Sequence, residues 1–98
     1  MTPVAASPEL LALASRIIWF EPPREALADQ VRFLAYLMTY GKIEDIEVAQ
    51  RHFTEVDFRE ALDCAPPGII DPRSWAYWNL KAGRYPPPPM PVRHIPME

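Results

Sequence analysis

The 98-residue chain has three glycines, one cysteine, two histidines and no uninterrupted apolar run of membrane-spanning length. Three scattered glycines cannot supply a glycine-rich phosphate loop. A lone Cys64 excludes an intramolecular disulfide and fits a reducing compartment. No charged segment precedes the first apolar stretch, so no secretory signal is expected, nor any membrane association, and the expected location is cytoplasmic. Positive charge is also short. Ten lysines and arginines against thirteen acids leave a formal charge of −3, which offers no general attraction to nucleic acid or anionic lipid.

Catalytic sets are missing as well. Nothing frames His52 against Thr54, Ser74 or Cys64 as a base beside a nucleophile, and no serine sits in a strand–turn–helix elbow. His52 and Glu55 have helical spacing, but a helix break is expected between them and two ligands do not make a metal site. The expectation is therefore no enzyme, no metal and no cofactor.

What is present is a series of helix signals. Ser7-Pro8-Glu9 combines a hydroxyl cap, a proline suited to the first helical position and a dipole-matching acid. Leu10, Leu13, Ala14, Ile17 and Ile18 continue as an apolar stripe until Glu21-Pro22-Pro23 stops it. Asp29 can cap a second helix that ends at Gly41, a residue suited to a left-handed C′ position. That helix has two apolar faces. Leu27, Val31, Leu34, Ala35 and Met38 line one, and Phe33, Tyr36, Leu37 and Tyr40 the other, so it is expected at the centre of its bundle or at a self-association interface.

A third helix is expected over Ile43–His52, with Ile43, Ile46, Ala49 and Phe53 inward. Thr54-Glu55-Val56-Asp57 resembles a capping box opening a fourth, with Phe58, Ala61 and Leu62 inward and Pro66-Pro67-Gly68 as its stop. Asp71-Pro72 opens a fifth, which Gly83 closes. The expected fold is all-α: a four- or five-helix bundle over residues 1–84 and an extended proline-rich tail over 85–98. A chain this short buries about two-thirds of its unfolded surface, enough for helix on helix but not for a large substrate cavity.

Two features point to binding. On the fifth helix Trp75, Tyr77 and Trp78 follow Arg73, and Trp, Tyr and Arg concentrate binding energy at interfaces. One tryptophan is expected in the core, with Tyr77 or the other tryptophan near the surface. Behind them come Arg84, Tyr85 and a run of prolines. Of thirteen prolines, six lie in the tail, which favours polyproline II and sets Pro88, Pro91 and Arg93 in a PxxPxR pattern. A tail that lies back across its own bundle and a tail that grips a partner both remain open.

Charge is divided along the chain. Residues 43–71 carry eight acids and two arginines, whereas residues 72–98 carry four basic residues and one acid. Such a split suits a partner of mixed charge, or packing of one segment on the other. It argues against a helix-turn-helix reading of the third and fourth helices, because the second of the pair would bring Glu55, Asp57, Glu60 and Asp63 to the phosphates with only Arg59. Nucleic acid is not an expected partner.

Trp19-Phe20, then Met38-Thr39-Tyr40-Gly41 with Glu44-Asp45-Ile46, then Ser74-Trp75-Ala76-Tyr77-Trp78-Asn79-Leu80 before Gly83 carry a further signal. In order and spacing the chain resembles a family of small bacterial helical proteins encoded beside abortive-infection-type nucleotidyltransferase toxins and read as their antitoxins. The resemblance spans roughly residues 16–83, and the proline tail and the Pro66-Pro67-Gly68 loop depart from the family's commonest pattern. It implies a protein partner, a nucleotidyltransferase toxin, bound and blocked directly. Glu55, Asp57 and Glu60 would then imitate nucleic acid in a basic cleft. The alternative from the residues alone is a homodimer formed through Phe33, Tyr36, Leu37 and Tyr40.

Overall fold

A computed structural model describes residues 7–90, and over these residues the chain is helical with no strand. Six helices follow one another: α1 (Pro8–Ile17), α2 (Pro23–Ala28), α3 (Gln30–Tyr40), α4 (Ile43–Gln50), α5 (Glu55–Cys64) and α6 (Pro72–Lys81). The all-α expectation holds, with one helix more than the signals suggested. The addition is α2. Pro22-Pro23 does end the first apolar stripe, but Pro23 also occupies the first helical position of a six-residue helix that buries Ala26 and Leu27.

The caps form where the side chains dictate. Ser7 Oγ accepts from the Leu10 amide at 3.2 Å, Asp29 Oδ1 from Arg32 at 3.1 Å and Asp71 Oδ1 from Ser74 at 2.7 Å. At α5 the capping box is reciprocal: Thr54 Oγ1 accepts from the Asp57 amide at 3.2 Å, and the Asp57 carboxylate accepts from the Thr54 amide at 2.8 Å.

Helix α3 is central, in contact with all five others. Phe33, Leu34, Ala35 and Leu37 are fully buried and Met38 nearly so, and each such large side chain contributes about 1.5–3 kcal/mol by leaving water. Phe33 meets the Phe53 ring at 6.0 Å. Trp78 stacks on Phe58 at 5.4 Å and donates its indole N–H to the Met38 carbonyl at 3.1 Å, which ties α6 and α5 to the end of α3. Thr39 adds a bond from its hydroxyl to the Ile69 carbonyl at 3.3 Å.

Three local expectations are corrected. Ile43 is 75% exposed, because α4 is barely two turns long and only Ile46 and Ala49 within it, and Phe53 in the turn beyond it, reach the core. Gly41 is extended (φ −72°, ψ 143°), not left-handed. It is glycine for lack of space: a Cβ there would lie 2.6 Å from the Leu37 carbonyl oxygen, which accepts the Gly41 amide at 2.8 Å. Gly83 does take the left-handed conformation, at φ +81°. Phe33 and Leu37, assigned to a self-association face, belong to the core.

After Gly83 the chain turns back. The Arg84 amide donates to the Asn79 carbonyl at 2.8 Å, and its guanidinium grips both oxygens of Asp63, one at 3.0 Å. The Trp75 indole donates to the Pro88 carbonyl at 2.7 Å, and Met90 packs on the core. Residues 84–90 thus run across their own bundle without regular structure, with the Tyr85–Pro86 peptide cis. Pro91 and Arg93 lie outside the described residues. No helix among the described residues is long and apolar enough to cross a membrane.

Gly41→Ala should destabilise the fold by about 1–3 kcal/mol, since the added methyl must displace the Leu37 backbone carbonyl as well as the tip of its side chain. Urea denaturation checks this, and an unchanged midpoint would refute the close-approach account.

Candidate interaction surface

The apolar stripe of α1 ends at buried Ile18, and the next two residues swing outward. Trp19 is 79% exposed and Phe20 51%. Their rings meet edge to face at 5.7 Å, and Phe20 meets Tyr36 of α3 at 6.0 Å. Tyr36 and Tyr40 lie one helical turn apart, which brings their rings into a stack at 6.0 Å, with Tyr40 65% exposed. Four aromatic rings therefore form one continuous surface ladder across the α1–α2 turn and the outer face of α3.

Arg32 holds the ladder in register. One turn before Tyr36, its guanidinium sits 5.5 Å from that ring's centroid and bonds both oxygens of Glu21 at 2.7 and 3.0 Å. The clamp fastens the α1–α2 turn, and with it Phe20, to α3. The bond from Arg32 holds the Glu21 carboxyl below its ordinary range, and the same bond pushes the guanidinium up. Beyond Tyr40 the ladder opens on a shallow hollow of about 410 Å³ lined by Arg16, Ile17, Lys42, Glu44 and Asp45.

The α6 expectation divides. Trp75 and Trp78 are both buried, so the surface ring there is Tyr77, over which Lys81 lies at 5.6 Å. Arg73 is exposed at the start of the helix, Arg84 is held by Asp63, and Tyr85 is 80% exposed. Beneath Lys81, Phe58, Leu62, Trp78 and Ala82 line a pocket of about 120 Å³ with Glu55 and Arg59 among its walls, well below the roughly 300–1,000 Å³ of small-molecule sites. Asn79 is fully buried; its amide donates to the Trp75 carbonyl, and its Oδ1 has no hydrogen-bond partner.

The acidic segment is largely answered within the chain. Asp63 takes Arg84, Asp45 takes Arg16 at 2.6 Å, Asp71 caps α6 and Asp57 serves its capping box. Of the carboxylates set aside for nucleic-acid imitation, Asp57 therefore already has a structural task. Glu55 is exposed and Glu60 half-buried. His52 meets Glu9 through Nε2 at 2.8 Å, and Arg51 pairs with the same carboxylate. Among the described residues no group of three or more His, Cys, Asp or Glu could hold a metal ion.

Trp19 and Phe20 entered the sequence reading only as carriers of the family likeness. The signal that could have found them is positional: two rings directly after the last stripe residue and one residue ahead of the Pro22-Pro23 pair have no helix face to turn inward. Comparison with protein-family models, with curated proteins and with solved structures returned no match.

Among the described residues five carboxyls are held below their ordinary values. Glu9 is lowered first by its bond to His52, Glu21 by Arg32, Asp63 by Arg84 and Asp71 by the Ser74 amide, while at Asp45 the bonds from Arg16 and the Lys42 amide outweigh an opposing effect of burial. Depressed carboxyls contribute stability that is complete above the unfolded values, 3.8 for Asp and 4.5 for Glu, and is lost as pH falls through the folded ones. Thermal melts should therefore give a level Tm down to about pH 5 and a falling one below, less steep in high salt because the pairs are near the surface. A level Tm through pH 3 would contradict the pairing.

Proposed function

We propose that the chain is a non-enzymatic protein-binding module that docks through the Trp19–Phe20–Tyr36–Tyr40 ladder. The supporting observation is that contiguity: four rings in contact one after the next, three of them more than half exposed. Single exposed apolar residues are ordinary, but contiguous rings clamped in place by a bidentate arginine form the kind of rigid, low-entropy contact area that dominates interface energetics.

A nucleotidyltransferase toxin is the partner supplied by the family resemblance, which would make the chain its antitoxin. Trp19-Phe20 and Met38-Thr39-Tyr40-Gly41, two of the segments that carry the resemblance, contribute three of the four rings. The second reading is self-association. Reduced to Tyr36 and Tyr40 on α3, it uses the same surface.

Affinity capture of tagged full-length chain from its native host, followed by mass spectrometry, tests the module. Replacing both Trp19 and Tyr40 by alanine should weaken retention of a stoichiometric partner at least about tenfold, since losses of about 2 kcal/mol at a central anchor are typical. Val56→Ala, an exposed apolar change on α5, should leave retention unchanged. Equal retention by all three proteins would refute the ladder as the docking site, and a partner of another enzyme class would retire the nucleotidyltransferase.

A further inference from the structure

The small pocket between α5 and α6 shares no lining residue with the aromatic ladder, and it gathers three charged side chains over an apolar floor. We propose that it is a binding site for a free α-amino acid with a branched aliphatic side chain, of the leucine type.

The floor sets the apolar part of the ligand. Phe58 and Trp78 stack at 5.4 Å with their ring planes 6° apart, and Leu62, also buried, adjoins them in the lining. A dry cavity of about 150 Å³ takes benzene. At about 120 Å³ this one takes an aliphatic side chain and has no room for the rest of its occupant. The polar end of the ligand therefore stays at the mouth.

The mouth carries the groups that such an end requires. Lys81 of α6 stands 5.5 Å from the centroid of the Trp78 ring. Glu55 and Arg59 face it from α5, one helical turn apart, and Gln50 at the end of α4 joins the lining. All four are exposed at their outer ends. Among the described residues no ion pair reaches Glu55, Arg59 or Lys81. Glu55 and Arg59 leave each other unpaired despite their spacing, and Asp63, one turn beyond Arg59, is taken by Arg84.

Two cations and one carboxylate around one opening complement a zwitterion. The ligand's carboxylate answers Arg59 and Lys81, and its ammonium answers Glu55. Other small ligands leave part of the site unused. A fatty carboxylate has nothing for Glu55, an aliphatic amine has nothing for the two cations, and glycine leaves the stacked floor uncovered. A few convergent polar groups around an apolar body is the usual composition of a small-ligand site, here at the scale of a single side chain.

Titration of L-leucine into the full-length, nitrogen-labelled chain at low ionic strength tests the site by two-dimensional NMR. Saturable shifts are expected at the Leu62 and Ala82 amides and the Trp78 indole N–H, with the Trp19 indole unmoved. N-acetyl-leucine lacks the ammonium and leucinamide the carboxylate, so each should bind about three- to tenfold more weakly. Arg59→Gln, at an exposed position, should weaken leucine by a similar factor while keeping the helical circular dichroism of wild type. Glu55→Gln should erase the preference for leucine over N-acetyl-leucine. Shifts that are absent, or that stay linear up to the solubility limit of leucine, would overturn the site. Equal binding of leucine and either blocked form to wild type would overturn the amino acid as its ligand, as would unchanged leucine binding by Arg59→Gln. The ladder stands or falls separately, because none of these probes or variants touches it.

Discussion

The burial of α3 on nearly every side governs the molecule. A helix with two apolar faces cannot lie on a surface, so five other helices gather round it, and the Trp78 indole on the Met38 carbonyl is a directional tie from α6. That bond sets the depth of α6, the Phe58–Trp78 stack carries the constraint to α5, and the lack of any room at Gly41 sets how closely the chain leaves α3 for α4. A bundle of short helices has little area to give away. Its stability rests on one element that buries Phe33, Leu34, Ala35, Leu37 and Met38 together.

The functional surface follows from the same constraint. Where neighbours stop covering α3, Tyr36 and Tyr40 emerge, and the α1–α2 turn that passes beside them supplies Phe20 and Trp19. Arg32 and Glu21 then convert a loose turn into a fixed one. At a partly covered site a bidentate guanidinium–carboxylate pair adds geometric definition beyond its modest energy. The ladder is thus a product of packing, not a motif laid on top of it.

Much of this was legible in the residues, for a physical reason. Caps at Ser7, Asp29, Thr54 and Asp71 are settled within four residues of chain, so sequence contains all their determinants. The division of Phe33 and Leu37 from Tyr36 and Tyr40 was not legible. Helical period puts the four on one side, but only the ring of Phe53 and the surrounding helices decide which of them lie beneath. Likewise Pro22-Pro23 reads as a stop, and it takes the buried Ala26 and Leu27 to show that it is also a start. The charge split along the chain is bridged by Asp63 and Arg84, 21 residues apart, while Asp45 reaches back 29 residues to Arg16, outside both segments, and no local pattern announces either pair.

The central claim is that binding runs through the ladder. Its most direct test is photo-crosslinking in the native host from a benzophenone side chain placed at Tyr40, with the same group at exposed Val56 on α5 as the comparison. The account predicts a discrete adduct from position 40 and none from position 56, with the adduct's mass telling a second copy from a foreign protein. Adducts from position 56 alone, or the same adduct from both positions, would contradict it.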